Sequence, residues 1–127
     1  MYTAQHALRA YRQVEHQGIS GEQLYLQGLN GILEYLRRAE EAIAAGHDAA
    51  KGAALDKAYR IVEHLLAILP ADAAADGGEN LTTRLERIYT SLLMQFAQAN
   101  IFNDLEALGQ CRAAVSALKA AWPAGAA

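Results

Sequence analysis

Four histidines, His6, His16, His47 and His64, and one cysteine, Cys111, are the residues best suited to metal binding or nucleophilic chemistry. A di-iron centre in a helical bundle needs Glu-x-x-His on two helices together with further inward carboxylates. No glutamate here has a histidine three positions later. Glu15-His16 and Glu63-His64 are adjacent pairs, whose side chains diverge by about 100° on a helix. The histidines lack ligand spacing and read as surface or helix-end residues, so neither a metal nor a cofactor is expected. Histidine phosphotransfer domains commonly carry His-x-x-Lys-Gly within a helix, and residues 47–52, HDAAKG, approach that pattern. His47 precedes Lys51 by four positions instead of three, and it falls at the start of a helical block. Cys111 sits in an apolar stripe, as a buried structural thiol would. Gly77-Gly78 lacks the further glycines and the lysine of a phosphate loop. These residues make no catalytic constellation, and the expectation is a protein that is not an enzyme.

The elements that carry these residues follow from composition and periodicity. A chain of 127 residues suits one domain, and 53% apolar residues, 20% charged residues and 2 prolines describe a chain that folds. The apolar fraction leans on alanine, while valine, threonine and aromatics are scarce, a balance that favours helix over strand. A formal charge of -3 offers no field for a polyanion, so a nucleic-acid partner is disfavoured. One cysteine cannot form an internal disulfide, which suits a reducing compartment. The first residues lack a basic region followed by an apolar one, and no run reaches the roughly 20 apolar residues that span a bilayer. A cytoplasmic protein without a membrane partner is expected.

Four blocks carry helical periodicity. In residues 22–45, Tyr25, Leu29, Ile32, Leu36, Ala39 and Ile43 form one face, with Ser20 as N-cap and Gly46 as the stop. Residues 49–69 place Leu55, Ala58, Val62, Leu65 and Leu69 on one side, with Asp48 as N-cap and Pro70 ending the block. The Gly- and Asp-rich stretch ADAAADGGEN reads as a mobile loop of about ten residues. Residues 79–101 repeat the stripe through Leu81, Leu85, Ile88, Leu92, Phe96 and Ala99. Residues 104–122 complete it with Leu105, Leu108, Cys111, Val115, Leu118 and Trp122. Helices of about 20 residues with short links pack most simply as an all-α, antiparallel up-down four-helix bundle. The expected organisation is a single domain over 1–127: an arm or short helix over 1–18, the bundle over 20–122 and a flexible tail over 123–127.

Residues 97–104, AQANIFND, join the last two blocks. Asn100 suits a helix end, Asn103 can cap the next helix with Glu106 completing a capping-box-like pair, and Asp104 then falls in the first turn. Ile101 and Phe102 either close the bundle end or touch a partner; local apolar contacts beside a helix C-cap favour the first. Further apolar side chains exceed or flank the four seams. Tyr2, Tyr11, Tyr25, Leu26, Leu33, Tyr35, Leu66 and Leu93 join Ile101 and Phe102 in that excess, of which about half is expected to pack under the N-terminal arm or to complete wide bundle stripes. Such an excess can form a groove for a partner's amphipathic helix. Partner-binding candidates are Tyr2, Tyr11, Tyr25, Leu26, Leu33, Leu66, Leu93, Ile101 and Phe102.

The ordered set of small motifs resembles the flagellar export chaperone family, FliS. Met1-Tyr2-Thr3-Ala4, Ala10-Tyr11 and Val14 resemble its N-terminal signature. Asn30-Gly31 stands where the family usually has Asp-Gly, followed by Leu36 and Ala39. Lys51-Gly52, Gly77-Gly78-Glu79, Ile88-Tyr89, Ala99-Asn100, Asn103-Asp104 and Ala121-Trp122 then follow in the family's order. Departures include Gln27-Gly28-Leu29 for Met-Leu-Tyr, Arg84-Leu85 for Asn-Leu and Tyr89-Thr90-Ser91 for Tyr-x-Tyr. The resemblance implies a cytoplasmic chaperone that binds the C-terminal helices of flagellin and blocks premature polymerisation before type III export. It also implies an anti-sigma factor or export-gate component as a further partner, and an arm with Tyr2 and Tyr11 that covers apolar surface until the client displaces it. The apolar excess could also form a homodimer face, and a monomer or weak homodimer is expected. The rival reading from the residues alone is a signalling or adaptor bundle without catalysis.

Overall fold

The computed structural model describes residues 21–69 and 81–121. The expected arm, the Gly- and Asp-rich loop, Ser20, Trp122 and the tail lie outside the described residues. Four helices account for nearly all of the rest: α1 over Gly21–Ala45, α2 over Asp48–Ala67, α3 over Leu81–Phe102 and α4 over Leu105–Ala121. Each packs on its neighbours in the chain, and α4 returns to α1, which gives the ring of an up-down four-helix bundle. The diagonal helices α1 and α3 meet through side chains at the centre, where the Tyr89 and Tyr25 hydroxyls stand 3.5 Å apart. Burial, with Tyr89 beside it, pushes the Tyr25 hydroxyl's pKa far up, so it stays protonated.

The core is built from the stripes that periodicity marks. Leu29, Ile32 and Leu36 of α1 face Leu55, Val62 and Leu65 of α2, Leu92 and Phe96 of α3, and Leu108 and Val115 of α4 in one buried cluster. Replacing a buried aromatic such as Phe96 by alanine costs roughly 3–5 kcal/mol at sites of this kind. The seams drift at their ends. Tyr89, not Ile88, is the fully buried residue of its pair in α3, and Ala42 is buried where Ile43 is half-buried in α1. At about 100° per residue, one position decides whether a side chain meets the core or its rim.

Gly31 lets α1 and α2 pack closely. A Cβ built there would stand 3.1 Å from Ile61 Cδ1, so the bare backbone accepts a large β-branched side chain from the neighbouring helix.

Both short links use a residue in left-handed geometry followed by a capping position. Gly46, at φ +74°, ends α1: the His47 amide donates to the Ala42 carbonyl at 2.8 Å and the Gly46 amide to the Ile43 carbonyl at 3.1 Å. This is the paired bond pattern of a Schellman stop. The N-cap position of α2 is His47, without a side-chain cap bond, and the expected cap Asp48 is instead the first helical residue. There its charge faces the positive end of the helix dipole. The α3–α4 link departs further from expectation. Asn100 remains inside α3, Asn103 takes the left-handed geometry at φ +53°, and Asp104 caps α4. The Ala107 amide donates to Asp104 Oδ1 at 3.0 Å, so the third position of the helix is an alanine and no capping box with Glu106 forms.

Candidate functional site

Apolar surface accumulates on the side of α3 that faces away from the core and at its junction with α4. Met94 is 70% exposed, Ile101 71%, Phe102 72% and Leu105 46%. Met94 and Ile101 are seven residues apart, about two helical turns, and therefore share one face. That face lies opposite the buried residues Leu85, Tyr89, Leu92, Phe96 and Ala99. A helix burying one stripe in a bundle has no internal use for large apolar groups on the other side. Along the same face runs a groove of about 690 Å³, whose walls include Leu66 of α2 and Thr83, Thr90, Met94 and Gln98 of α3. Gln95 lines it too and is held from two sides, donating to Ser91 Oγ at 2.9 Å and accepting from Cys111 Sγ at 3.3 Å.

Lys51 holds the end of this face. It is only 7% exposed, and its Nζ donates to the Asn100 carbonyl oxygen at 2.9 Å and to Asn103 Oδ1 at 2.7 Å, with Asp48 Oδ1 at 3.8 Å. The carbonyls of a last helical turn lack intrahelical partners and carry the negative end of the dipole, so a buried ammonium satisfies both needs. Asp104 continues the network, accepting from Gln98 Nε2 at 2.9 Å through Oδ2. The Ala107 amide, then the Gln98 side chain and the Glu106 amide, hold the Asp104 carboxyl below its ordinary pKa. The α3–α4 corner is thus fixed by residues of α2, α3 and α4, and it presents Ile101 and Phe102 outward.

The structure separates the sequence candidates. Ile101 and Phe102 are exposed and do not close the bundle end, which corrects the reading favoured by capping logic. Leu66 lines the groove, while Leu33 and Leu93 are half-buried against the core. Leu26 is half-buried on α1. Tyr25, at 3% exposure, is a core residue. Tyr2 and Tyr11 lie outside the described residues. Sequence reasoning missed Met94 and Lys51. Met94 shares its face with Ile101 at a spacing of seven, which is the signal that could have found it; Lys51 stood out only in the Lys51-Gly52 pair of the family resemblance, which says nothing of its partners on α3.

Other clusters are structural in character. Glu34 lies between Arg37 at 2.7 Å and Arg38 at 2.9 Å on α1, whose hydrogen bonds hold its pKa down at about 2. Arg112 of α4 reaches Glu40 of α1 at 3.1 Å. These pairs are exposed, where ion pairs contribute little to stability. A second groove, of about 480 Å³, lies between α1 and α2 over Ala42, Ala45, Ala50 and Ala53, with Tyr35 under the Arg38 guanidinium at 5.3 Å. Burial pushes the Cys111 thiol up to about 12, which makes it a poor nucleophile. Among the described residues no group of three His, Cys, Asp or Glu is placed to hold a metal ion, and no helix is long and apolar enough to cross a membrane.

A family profile described as "Flagellar protein FliS" matches residues 4–126. The chain belongs to the FliS family. It is 31% identical over 126 residues to the flagellar secretion chaperone FliS of Salmonella typhimurium, spanning 96% of this chain and 90% of that protein. It is 29% identical over the same length to the flagellar secretion chaperone FliS of Escherichia coli, with the same coverage of both. Several positions at which the chain resembles FliS have structural work in this fold. Gly31 admits Ile61, Tyr89 fills the centre, and Lys51 joins Asn100 and Asn103 at the corner. One of the departures, Gly28, lies along the same seam as Gly31, where a Cβ would meet Ile61 and Leu65 at 3.5–3.8 Å.

Proposed function

We propose that this protein is a flagellar secretion chaperone that binds the C-terminal helical segment of flagellin in the cytoplasm and keeps it from polymerising before export. The family supports the coarse function, since its relatives in Salmonella typhimurium and Escherichia coli carry that name. The observation that carries the finer reading is the outward apolar face of α3, with Met94, Ile101 and Phe102 each at least 70% exposed. An amphipathic client helix laid on such a face gains from apolar burial at roughly 25 cal/mol per Å². Against that stands the cost of ordering a disordered segment, about 2–5 kcal/mol or more. Recognition by burial requires no catalysis, no metal and no cofactor.

The test is co-purification of this chain with flagellin, with and without the flagellin C-terminal segment. Full-length flagellin should be retained and the truncated form lost, and Met94→Ser with Phe102→Ser should weaken retention without unfolding the bundle. Equal retention of both flagellin forms would refute this mode of binding. The N-terminal arm, with Tyr2 and Tyr11, is proposed to compete with the client for apolar surface. Removal of residues 1–15 should then leave client affinity unchanged or raise it.

A further inference from the structure

We infer that Lys51 is a positioning residue for client recognition: by holding the end of α3, it sets the direction in which Ile101 and Phe102 are presented. This rests on the chaperone reading above. The argument begins from a charge in an unfavourable place. Lys51 belongs to the first turn of α2, where the dipole of its own helix disfavours a cation, and its side chain is almost fully buried. Two things compensate it. Asp48, one turn earlier, stands 3.8 Å away, and the carbonyl end of α3 supplies Asn100 O and the Asn103 side chain.

The consequence is local. The acceptors that Lys51 joins, Asn100 O and Asn103 Oδ1, bracket Ile101 and Phe102 in the chain. Asn103 is the residue whose left-handed φ turns the backbone out of α3, and Asp104 then starts α4. Releasing Lys51 frees the end of α3 to fray, because its last carbonyls lose their partner while the rest of the helix remains packed in the core. The apolar pair would keep its chemistry and lose its fixed direction, which raises the entropy that a docking helix must remove.

The experiment measures affinity for a synthetic peptide of the flagellin C-terminal segment by titration calorimetry, alongside amide hydrogen exchange without peptide. The full chain is used as wild type, Lys51→Met, Lys51→Arg, Asn103→Gly and the pair Ile101→Ser with Phe102→Ser. Lys51→Met should weaken binding about tenfold, the size of one lost charge-assisted hydrogen bond. Lys51→Arg should restore most of it, since a guanidinium can reach the same acceptors. In the Ile101→Ser, Phe102→Ser background, Lys51→Met should weaken binding little further, because both changes act through one surface. Exchange should accelerate at amides 100–103, at the end of α3, and stay unchanged in 85–99. Asn103→Gly, which keeps the left-handed backbone and removes the Oδ1 acceptor, should show a smaller effect of the same sign. A Lys51→Met protein that binds like wild type, or whose loss multiplies fully with the patch loss, would overturn the inference. Wild type that ignores the peptide would overturn the chaperone reading instead, while unchanged exchange at 100–103 in Lys51→Met would sink the positioning role whatever the client.

Discussion

Lys51 Nζ lies 2.9 Å from the carbonyl oxygen of Asn100, so a cation from the first turn of α2 closes the last turn of α3 across 49 positions of sequence. The same ammonium reaches Asn103 Oδ1, which makes the start of one helix part of the ending of another. This bond helps decide where α3 stops and how its apolar end is displayed.

The corner should be sensitive to the backbone of Asn103 as well as to its side chain. Asn103→Ala keeps neither the local tolerance of a φ of +53° nor the acceptor, and should destabilise by about 1–2 kcal/mol. Asn103→Gly should cost less, because glycine adopts that geometry freely. Urea unfolding midpoints should rank wild type above Gly above Ala; an Ala variant as stable as wild type would remove the strain argument.

Three helical glycines should respond differently to alanine. Nothing lies within 4 Å of a Cβ at Gly52 or Gly109, so Gly52→Ala and Gly109→Ala should each stabilise by about 0.5–1 kcal/mol through helix propensity. Gly31→Ala should fall short of that gain, since its methyl would press on Ile61 Cδ1 at 3.1 Å. Denaturant midpoints of the three variants check this ordering, and a Gly31→Ala gain equal to the other two would show that Ile61 yields at no cost.

Acid should weaken the fold through Asp104, and only slightly through Glu34, whose pairs are exposed and screened. Both carboxyls are held below their ordinary pKa in the folded chain, Asp104 by the Ala107 amide first and Glu34, at about 2, by Arg37 first. A carboxyl depressed by folding stabilises above its unfolded pKa and loses that contribution as pH falls through the folded value. For Glu34 the window runs from about 4.5 down to about 2. Asp104→Asn still caps the helix but no longer titrates, so its stability between pH 5 and pH 2 should fall less steeply than wild type. Parallel acid limbs for the two proteins would contradict the assignment.

Cys111 should be silent toward thiol reagents while the bundle is folded. It is fully buried, its pKa is pushed up to about 12, and its Sγ donates to Gln95 Oε1. At pH 8, labelling should proceed only as fast as the protein opens, and in urea it should become rapid. Prompt stoichiometric labelling of the native protein would show that α4 opens locally.

The four helices and most of their core stripes were legible in the sequence, since a periodic run of Leu, Ile and Ala over about 20 residues has few ways to bury itself. Gly46 announced the end of α1 because few other residues take its φ of +74°. Tyr89 was not legible as a core residue beside Ile88, because both are large and apolar and the choice turns on about 100° of helix rotation. AQANIFND carries three polar residues able to end or begin a helix, and local capping logic placed the left-handed residue at Asn100, three positions early, and the cap at Asn103, one position early.

Helix content, the number of helices and the broad faces they bury were set by the chain itself, because each depends on residues within a turn or two of one another. Where α3 ends, and that Ile101 and Phe102 face water instead of sealing the bundle, was settled by packing. The acceptor carbonyl of Asn100 finds its cation on a helix that is distant in sequence, and only when α2 lies antiparallel beside α3 does Lys51 come within reach.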